Sequence, residues 1–228
     1  MSLIAKLTEK SWEPAHTGVM HAGPGQPQTS KKIALGIFMV IISVLFTLFF
    51  LTFITHSQYP GFQALAAEPW SPFYNTGRLW MNTALLVGAS VAIHAALISA
   101  RRGAQGPTLI ALVITLFFSA QFVIAQIWLW RHLTGMGYGF TTNPANSYFY
   151  LLSAIHALHL LGGVAVLVRA TWLNWQGTAL ARSAQSIKLC ASYWHYLLAL
   201  WLVLFALMTA SPETYNTIAA LCGLEVDL

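Results

Sequence analysis

Five apolar stretches, each about as long as a membrane is thick, constrain the fold of this chain more than any other feature. A helix that crosses the hydrocarbon of a bilayer needs roughly 20 mostly apolar residues. Five stretches reach that length, at positions 33–55, 79–100, 108–130, 147–168 and 189–210. Because lipid offers no partner to backbone N–H and C=O groups, such stretches must fold as helices that satisfy these groups internally. The sequence therefore predicts an all-α polytopic membrane protein, folded as one five-helix transmembrane bundle.

The composition agrees with this prediction and divides the chain into three parts. Only 7% of the residues are charged and 57% are apolar, whereas soluble domains carry about 25% charged residues. We expect a polar N-terminal arm (1–32), a transmembrane domain (33–210) and a short outer tail (211–228). The arm lacks the basic start and apolar core of a signal peptide, so we expect it to be a cytoplasmic arm rather than a cleavable leader.

The basic residues predict the orientation in the membrane. If the five spans alternate in direction, only Arg78 and Arg131 of the 11 Lys and Arg residues fall on one side. The other nine fall on the opposite side, and they are Lys6, Lys10, Lys31, Lys32, Arg101, Arg102, Arg169, Arg182 and Lys188. The positive-inside rule then places the N-terminus in the cytoplasm and the C-terminus in the periplasm or outside. We attribute the net charge of +5 to contacts with lipid headgroups and expect no nucleic-acid partner.

The predicted spans contain no acidic residue, which limits the chemistry that the chain can perform. The acids lie outside them, at Glu9, Glu13, Glu68, Glu213, Glu225 and Asp227. A carboxylate proton path through this chain alone is therefore not expected, and neither is a Mg²⁺ or Ca²⁺ site. Phosphate loops, zinc motifs and nucleophile elbows do not occur in the sequence either. We assign no catalytic, cofactor-binding or metal-binding residue.

Histidines are the informative polar residues of the spans. The segment 146–163 carries His156 and His159 three residues apart, which places them on the same side of a helix. His94 and His195 belong to spans of opposite direction and should lie at similar depth. Histidines from different helices could ligate a b-type haem, or they could make interhelical hydrogen bonds or contacts to lipid phosphates. His156 and His159 share a helix and cannot be the two axial ligands of one haem.

Aromatic residues cluster at the ends of the spans, where amphipathic rings settle among headgroups. We expect Trp194 and Trp201, which lie deeper, to pack against neighbouring helices. Cys190 and Cys222 fall on opposite sides of the membrane, so no disulfide is expected between them. The residues predicted to form the interfacial belt are Trp70, Trp80, Trp128, Trp130, Trp172, Trp175 and Tyr148.

The spans carry an ordered set of motifs, which are Phe149-Tyr150, His156-Ala157-Leu158-His159 and Gly162-Gly163, then Tyr193-Trp194-His195, Trp201 and Leu204-Phe205. This set resembles subunit III of the haem-copper oxidases, the group of cytochrome c and quinol oxidases. The family has Phe-Tyr, then His-Gly-x-His and Gly-Gly, and begins its last helix with Tyr-Trp-His, followed by Trp and Leu-Phe. A Leu-Trp-x-Asn-Thr run at 79–83, the following His94 and Gln126 match the second and third spans of the family. The resemblance covers about 32–207.

The resemblance implies a subunit without its own redox centre, in the short five-helix form of the family. Such a subunit lies beside subunit I, with subunit II in the same complex, and haem and copper belong to those partners. It binds phospholipid and supports the stability and proton uptake of a complex that reduces dioxygen to water and translocates protons. The implied location is the bacterial inner membrane. The residues expected to make structural or lipid contacts are His94, Gln126, His156, His159, Tyr193, Trp194, His195 and Trp201.

Three departures from the family pattern leave alternatives open. Glutamates or an aspartate of the family are replaced here by Val44, Leu129 and Leu198, which argues against a proton-antenna role. The loss of these acids also fits an accessory protein of nitric oxide reductase. A five-helix anchor that binds haem b and oxidises quinol is a further alternative, which an optical spectrum would distinguish. A transporter is disfavoured, because internal repeats and acids within the spans are missing.

Overall fold

Six helices account for the regular structure in the described part of the chain. The computed structural model describes residues 27–59, 61–65, 77–177 and 180–223, without the side chains of 27–29 and 180–183. Five of the helices are long and apolar enough to cross a membrane, which confirms the predicted five-span, all-α architecture. The helices are α1 (Pro27–Ser57), α2 (Gly77–Arg101), α3 (Gln105–Gly135), α4 (Pro144–Trp175), α5 (Leu180–Thr209) and α6 (Pro212–Leu221).

The helices extend beyond the predicted spans at several ends. α1 begins at Pro27, so the last part of the predicted polar arm is helical, and the remainder of that arm lies outside the described residues. α4 contains 32 residues, which at about 1.5 Å per residue exceeds the thickness of the hydrocarbon core. Its ends therefore reach into the headgroup layers or beyond them. Hydrophobicity marks the part of a helix that lipid covers, and it carries little information on where the helix ends.

α6 is an element that we did not predict within the outer tail 211–228. The local sequence does contain a start signal, because the side chain of Ser211 accepts a hydrogen bond from the backbone N–H of Thr214, and Pro212 and Glu213 occupy the first turn. Serine at the N-cap, proline at the first position and an acid in the first turn all favour a helix start. The signal is short, and a search for long apolar stretches does not detect it.

α6 covers the end of the bundle through one buried tyrosine. The ring of Tyr215 packs edge-on against Phe53 at 5.3 Å and Phe62 at 6.2 Å between ring centroids. Its hydroxyl donates a 2.8 Å hydrogen bond to the carbonyl of Leu207. Burial raises the pKa of Tyr215, so the phenol stays neutral and remains a donor. α6 is thereby attached to both α1 and α5.

α2, α3, α4 and α5 form the closely packed part of the bundle, and α1 lies at its edge. α2 packs most extensively against α3 and α5, and α5 also packs against α4. α1 is attached to α5 through Tyr196, whose hydroxyl bonds the Ser43 hydroxyl at 2.9 Å and the Met39 carbonyl at 3.1 Å. Small residues permit the close contacts, as at Gly88, where an added Cβ would lie 3.2 Å from the ring of Phe118.

α4 and α5 approach each other closely at Gly163. A Cβ added there would lie 2.8 Å from Cε1 of Tyr193 and 3.0 Å from Cζ3 of Trp194. At the neighbouring Gly162, an added Cβ would meet no atom within 4 Å. Only the second glycine of the Gly-Gly motif is therefore required for packing within this chain.

We expect Gly163→Ala to destabilise the protein and Gly162→Ala to be neutral or stabilising. Overpacking a closely packed core costs about 1–3 kcal/mol, whereas alanine in an open helical position gains about 1 kcal/mol over glycine. The measurement is the thermal unfolding midpoint of the purified protein in detergent. Equal midpoints for the two variants would contradict the close approach at Gly163.

Candidate functional site

His156 of the α4 motif lies in the centre of the bundle and is 0% exposed. Its ring contacts Trp201 of α5 at 5.2 Å and Phe122 of α3 at 5.9 Å between centroids. Neither ring nitrogen has a hydrogen-bond partner among the described residues. We had expected an interhelical hydrogen bond or a headgroup contact, and the contacts found at His156 are aromatic instead. The residue fills the junction of three helices.

Two interhelical hydrogen bonds surround this junction and connect it to α2. Nδ2 of Asn82 donates to Oε1 of Gln126 on α3 at 2.8 Å. Nε1 of Trp201 donates to the hydroxyl of Thr83 at 3.0 Å. All four side chains are at most 4% exposed. The family-motif residues Gln126 and Trp201 therefore hold α2 against α3 and α5, in a polar cluster that lipid and water do not reach.

His159 faces a different neighbour from His156, although the two are only three residues apart. Its ring lies between Phe46 at 6.0 Å and Phe38 at 6.2 Å, both on α1. Nδ1 lies 2.8 Å from the carbonyl of Ile155 in the same helix. A separation of three residues rotates a side chain by about 60° around a helix axis. That rotation is enough to direct His156 into the core and His159 towards α1.

Tyr193 and Trp194 are adjacent in sequence at the contact between α4 and α5, and their side chains bond to two different helices. The hydroxyl of Tyr193 donates to the backbone carbonyl of His159 at 3.0 Å. Nε1 of Trp194 donates to the hydroxyl of Ser119 on α3 at 3.3 Å. Trp194 and Trp201 are 2% and 1% exposed, which confirms that they pack against neighbouring helices.

A groove of about 650 Å³ lies between α1, α4 and α5, on the outer side of this contact. Its walls are mainly apolar, and its cationic lining residues are Lys31 of α1 and Arg169 of α4. His159, Tyr193 and Trp194 also line it. An apolar groove with cations among its lining residues suits a molecule with an anionic head and a hydrocarbon tail. We did not assign Lys31 or Arg169 to a site from the sequence, because α1 and α4 are far apart along the chain.

His94 and His195 are neighbours on an exposed face formed by α2 and α5. Their ring centroids are 5.7 Å apart, which confirms that the two residues lie at similar depth. Nδ1 of His195 lies 2.5 Å from the hydroxyl of Ser90, one helical turn before His94 on α2. Of the histidines expected to make interhelical polar contacts, His195 is the one whose ring does so among the described residues.

The aromatic residues predicted to form the interfacial belt differ in exposure. Trp80, Trp128, Trp172 and Trp175 are between 53% and 64% exposed, whereas Trp70 lies outside the described residues. Trp130 is half-buried and donates from Nε1 to the hydroxyl of Ser153 at 3.1 Å, so this residue also makes a contact within the bundle that we did not predict. Trp130 lies at the end of the predicted apolar stretch, but α3 continues beyond it to Gly135. The sequence pattern alone therefore did not indicate this inward contact.

The three positions where the family carries acids lie in different surroundings. Val44 is 55% exposed on α1, Leu129 is 3% exposed within the bundle, and Leu198 is half-buried on α5.

The described residues contain no group of three or more His, Cys, Asp or Glu side chains placed to hold a metal ion. Cys190 and Cys222 are both free thiols.

Comparison with known proteins gives one family over most of the chain. The family model of cytochrome c oxidase subunit III matches residues 9–210. Subunit 3 of the cytochrome bo(3) ubiquinol oxidase of Pseudomonas aeruginosa is 26% identical over 128 residues, which cover 56% of this chain and 61% of the relative. Cytochrome c oxidase subunit 3 of Thermostichus vulcanus is 26% identical over 145 residues, which cover 62% and 71%. The match to the Synechocystis protein of the same name, also 26% identical, covers 56% and 54%. The chain thus spans only about three fifths of the length of most of these relatives.

We expect the Asn82–Gln126 contact to behave as one coupled unit. Asn82→Leu should lower stability by about 1–2 kcal/mol, because it leaves the amide oxygen of Gln126 unpaired in the core. Gln126→Met should act similarly, since the amide of Asn82 then lacks its acceptor. The double variant should lose less than the sum of the two single variants. Thermal unfolding of all four proteins in detergent measures the coupling, and strictly additive losses would show that the contact is unimportant.

Proposed function

This chain belongs to the cytochrome c oxidase subunit III family, and from that premise we propose that it serves as subunit III of a bacterial respiratory haem-copper oxidase. The observation that carries the proposal is the family match over residues 9–210, a range that includes the five membrane-crossing helices. The core supports it, since residues of separate motifs contact each other there: His156 with Trp201, Gln126 with Asn82, and Trp201 with Thr83.

The proposed role is that of a non-catalytic subunit. Haem and copper belong to the partner subunits I and II, where dioxygen is reduced to water and protons are translocated. This chain contributes stability and supports proton uptake by the catalytic subunit. The aliphatic residues at Val44, Leu129 and Leu198 favour support through structure and bound lipid over a relay of carboxylates within this subunit.

We also propose that the groove between α1, α4 and α5 binds phospholipid. Lys31 and Arg169 would meet the phosphate, and the apolar walls formed by residues such as Phe38 and Val166 would meet an acyl chain. The positive-inside rule predicts that both cations face the cytoplasmic leaflet, which carries anionic lipid. The groove walls also belong to the α4–α5 contact, so bound lipid would stabilise the same junction that holds the motif residues.

The function is tested by the composition of the complex. We expect affinity purification of the tagged chain in mild detergent to recover a haem-copper catalytic subunit and a copper-binding subunit in stoichiometric amounts, together with oxygen-reducing activity. Recovery of a nitric oxide reductase would instead support the accessory-protein alternative. Isolation of this chain alone, with the absorption bands of haem b, would refute the non-catalytic role.

For the groove, we expect the double variant Lys31→Gln/Arg169→Gln to retain less anionic phospholipid. Removing both cations takes away the electrostatic attraction, which is about 1 kcal/mol for each Lys or Arg near an anionic surface. Mass spectrometry of lipids extracted from the purified complex measures the amount per protein. The matched control is Arg101→Gln/Arg102→Gln, which removes two exposed cations at the end of α2 that do not line the groove. Equal lipid loss in both double variants would contradict a specific site.

A further inference from the structure

The exposed histidine pair of α2 and α5 lies too deep for ordinary headgroup contact. His94 is seven residues before Arg101, and His195 is seven residues after Lys188. At 1.5 Å per residue, each imidazole lies about 10 Å along its helix from the nearest basic residue. If these basic residues anchor the helices among the headgroups, both rings lie within a hydrocarbon core about 30 Å thick.

The hydrogen bonds within this chain do not satisfy the pair. Ser90 engages Nδ1 of His195, and no other ring nitrogen of His94 or His195 has a hydrogen-bond partner among the described residues. His56 differs from the pair, since its Nδ1 lies within 3.0 Å of both the Thr52 carbonyl and the Tyr148 hydroxyl. An imidazole N–H that faces lipid tails has no partner, and polar groups within membranes normally face protein or a water-filled cavity.

The residues around the pair are exposed at helical spacing on both α2 and α5. On α2, Val87, Val91 and Ile98 are exposed and, with His94, recur at helical spacing. On α5, the exposed residues Ser192, His195, Ala199 and Leu202 recur in the same manner. We call these residues together the α2–α5 face. By contrast, the exposed large side chains in the middle of α3 are all apolar, for example Val113, Phe117 and Ile124, as expected for contact with lipid.

From these observations we propose that the α2–α5 face docks against a transmembrane helix of another subunit of the same oxidase complex, and that this helix brings an acidic side chain to His94 and His195. The complementarity is chemical, because the pair offers imidazole N–H groups and the spans of this chain contain no acid. Ser90 holds the ring of His195 in place, so one contact is oriented before the subunits meet. The inference rests on the proposed function, since it requires a multisubunit membrane complex.

The first test is photocrosslinking within the intact complex. Benzoylphenylalanine placed at Val91, which is 64% exposed beside the pair, should crosslink to another membrane subunit, at a segment that carries Asp or Glu. The matched position is Val113 on α3, which is 52% exposed and should yield no protein adduct. An adduct only at Val113, no protein adduct at Val91, or an adduct to a second copy of this chain would overturn the proposal.

The second test removes the imidazoles. His94→Leu/His195→Leu should lower the recovery of partner subunits on the tagged chain at least several-fold, whereas His94→Gln/His195→Gln should restore much of it, since amides keep hydrogen-bonding capacity. Size-exclusion chromatography of the variants in detergent checks that the chain still folds. Undiminished recovery with the leucine variant would overturn the proposal. If even the unmodified chain recovers no haem-copper subunit, the proposed function itself fails. If the unmodified chain recovers the partner subunits and the leucine variant recovers them equally well, only the docking proposal fails.

Discussion

The contact between α4 and α5 at Gly163 is the interaction on which the rest of the structure depends. In lipid, the hydrophobic effect does not drive helices together, so they associate through close packing and interhelical hydrogen bonds. Because Gly163 has no side chain, Tyr193 and Trp194 can approach α4 closely. The Tyr193 hydroxyl then bonds the carbonyl of His159, and Nε1 of Trp194 bonds the Ser119 hydroxyl. The same approach brings His156 against Trp201 on one side of the contact and leaves the groove of about 650 Å³ on the other.

The interior shows how a membrane protein uses a few polar residues to select one arrangement of similar helices. Apolar stripes on five helices would permit many pairings, because lipid tails are as apolar as leucine. The bonds from Asn82 to Gln126 and from Trp201 to Thr83 can form in only one register. Each adds little energy, but an alternative packing would leave these groups unpaired in the core. The main effect of these hydrogen bonds is therefore to select one packing of the helices, and their contribution to the free energy of unfolding is small.

The sequence predicted the number of spans and the common depth of His94 and His195, because both follow from helix length and alternating direction. It did not predict which way His156 and His159 would each face, because that depends on where α1 and α3 lie around α4. The inward contact of Trp130 and the presence of α6 were also not predicted from local sequence patterns. An aromatic residue near the end of an apolar stretch is typical of an interface, and only the continuation of α3 shows that Trp130 points inward. Lys31 and Arg169 line one groove only once the helices are assembled, so the groove proposed to bind lipid could not be located from local patterns.

The three positions where the family carries acids differ in what their replacement means. At Val44, which is largely exposed, an aliphatic residue is suited to lipid, whereas a carboxylate would need a partner or water. At Leu129, which is buried, the same change removes a group that would require a hydrogen-bond partner in the core. Leu198 lies between these cases on α5, the helix that also carries His195. Together the replacements leave the spans of this chain without a carboxylate, and among the described residues only His94 and His195 present imidazoles on an exposed face at that depth. Spans without carboxylates are poorly suited to a proton relay through this chain, and the partner helix proposed for the α2–α5 face would supply the acid that they lack.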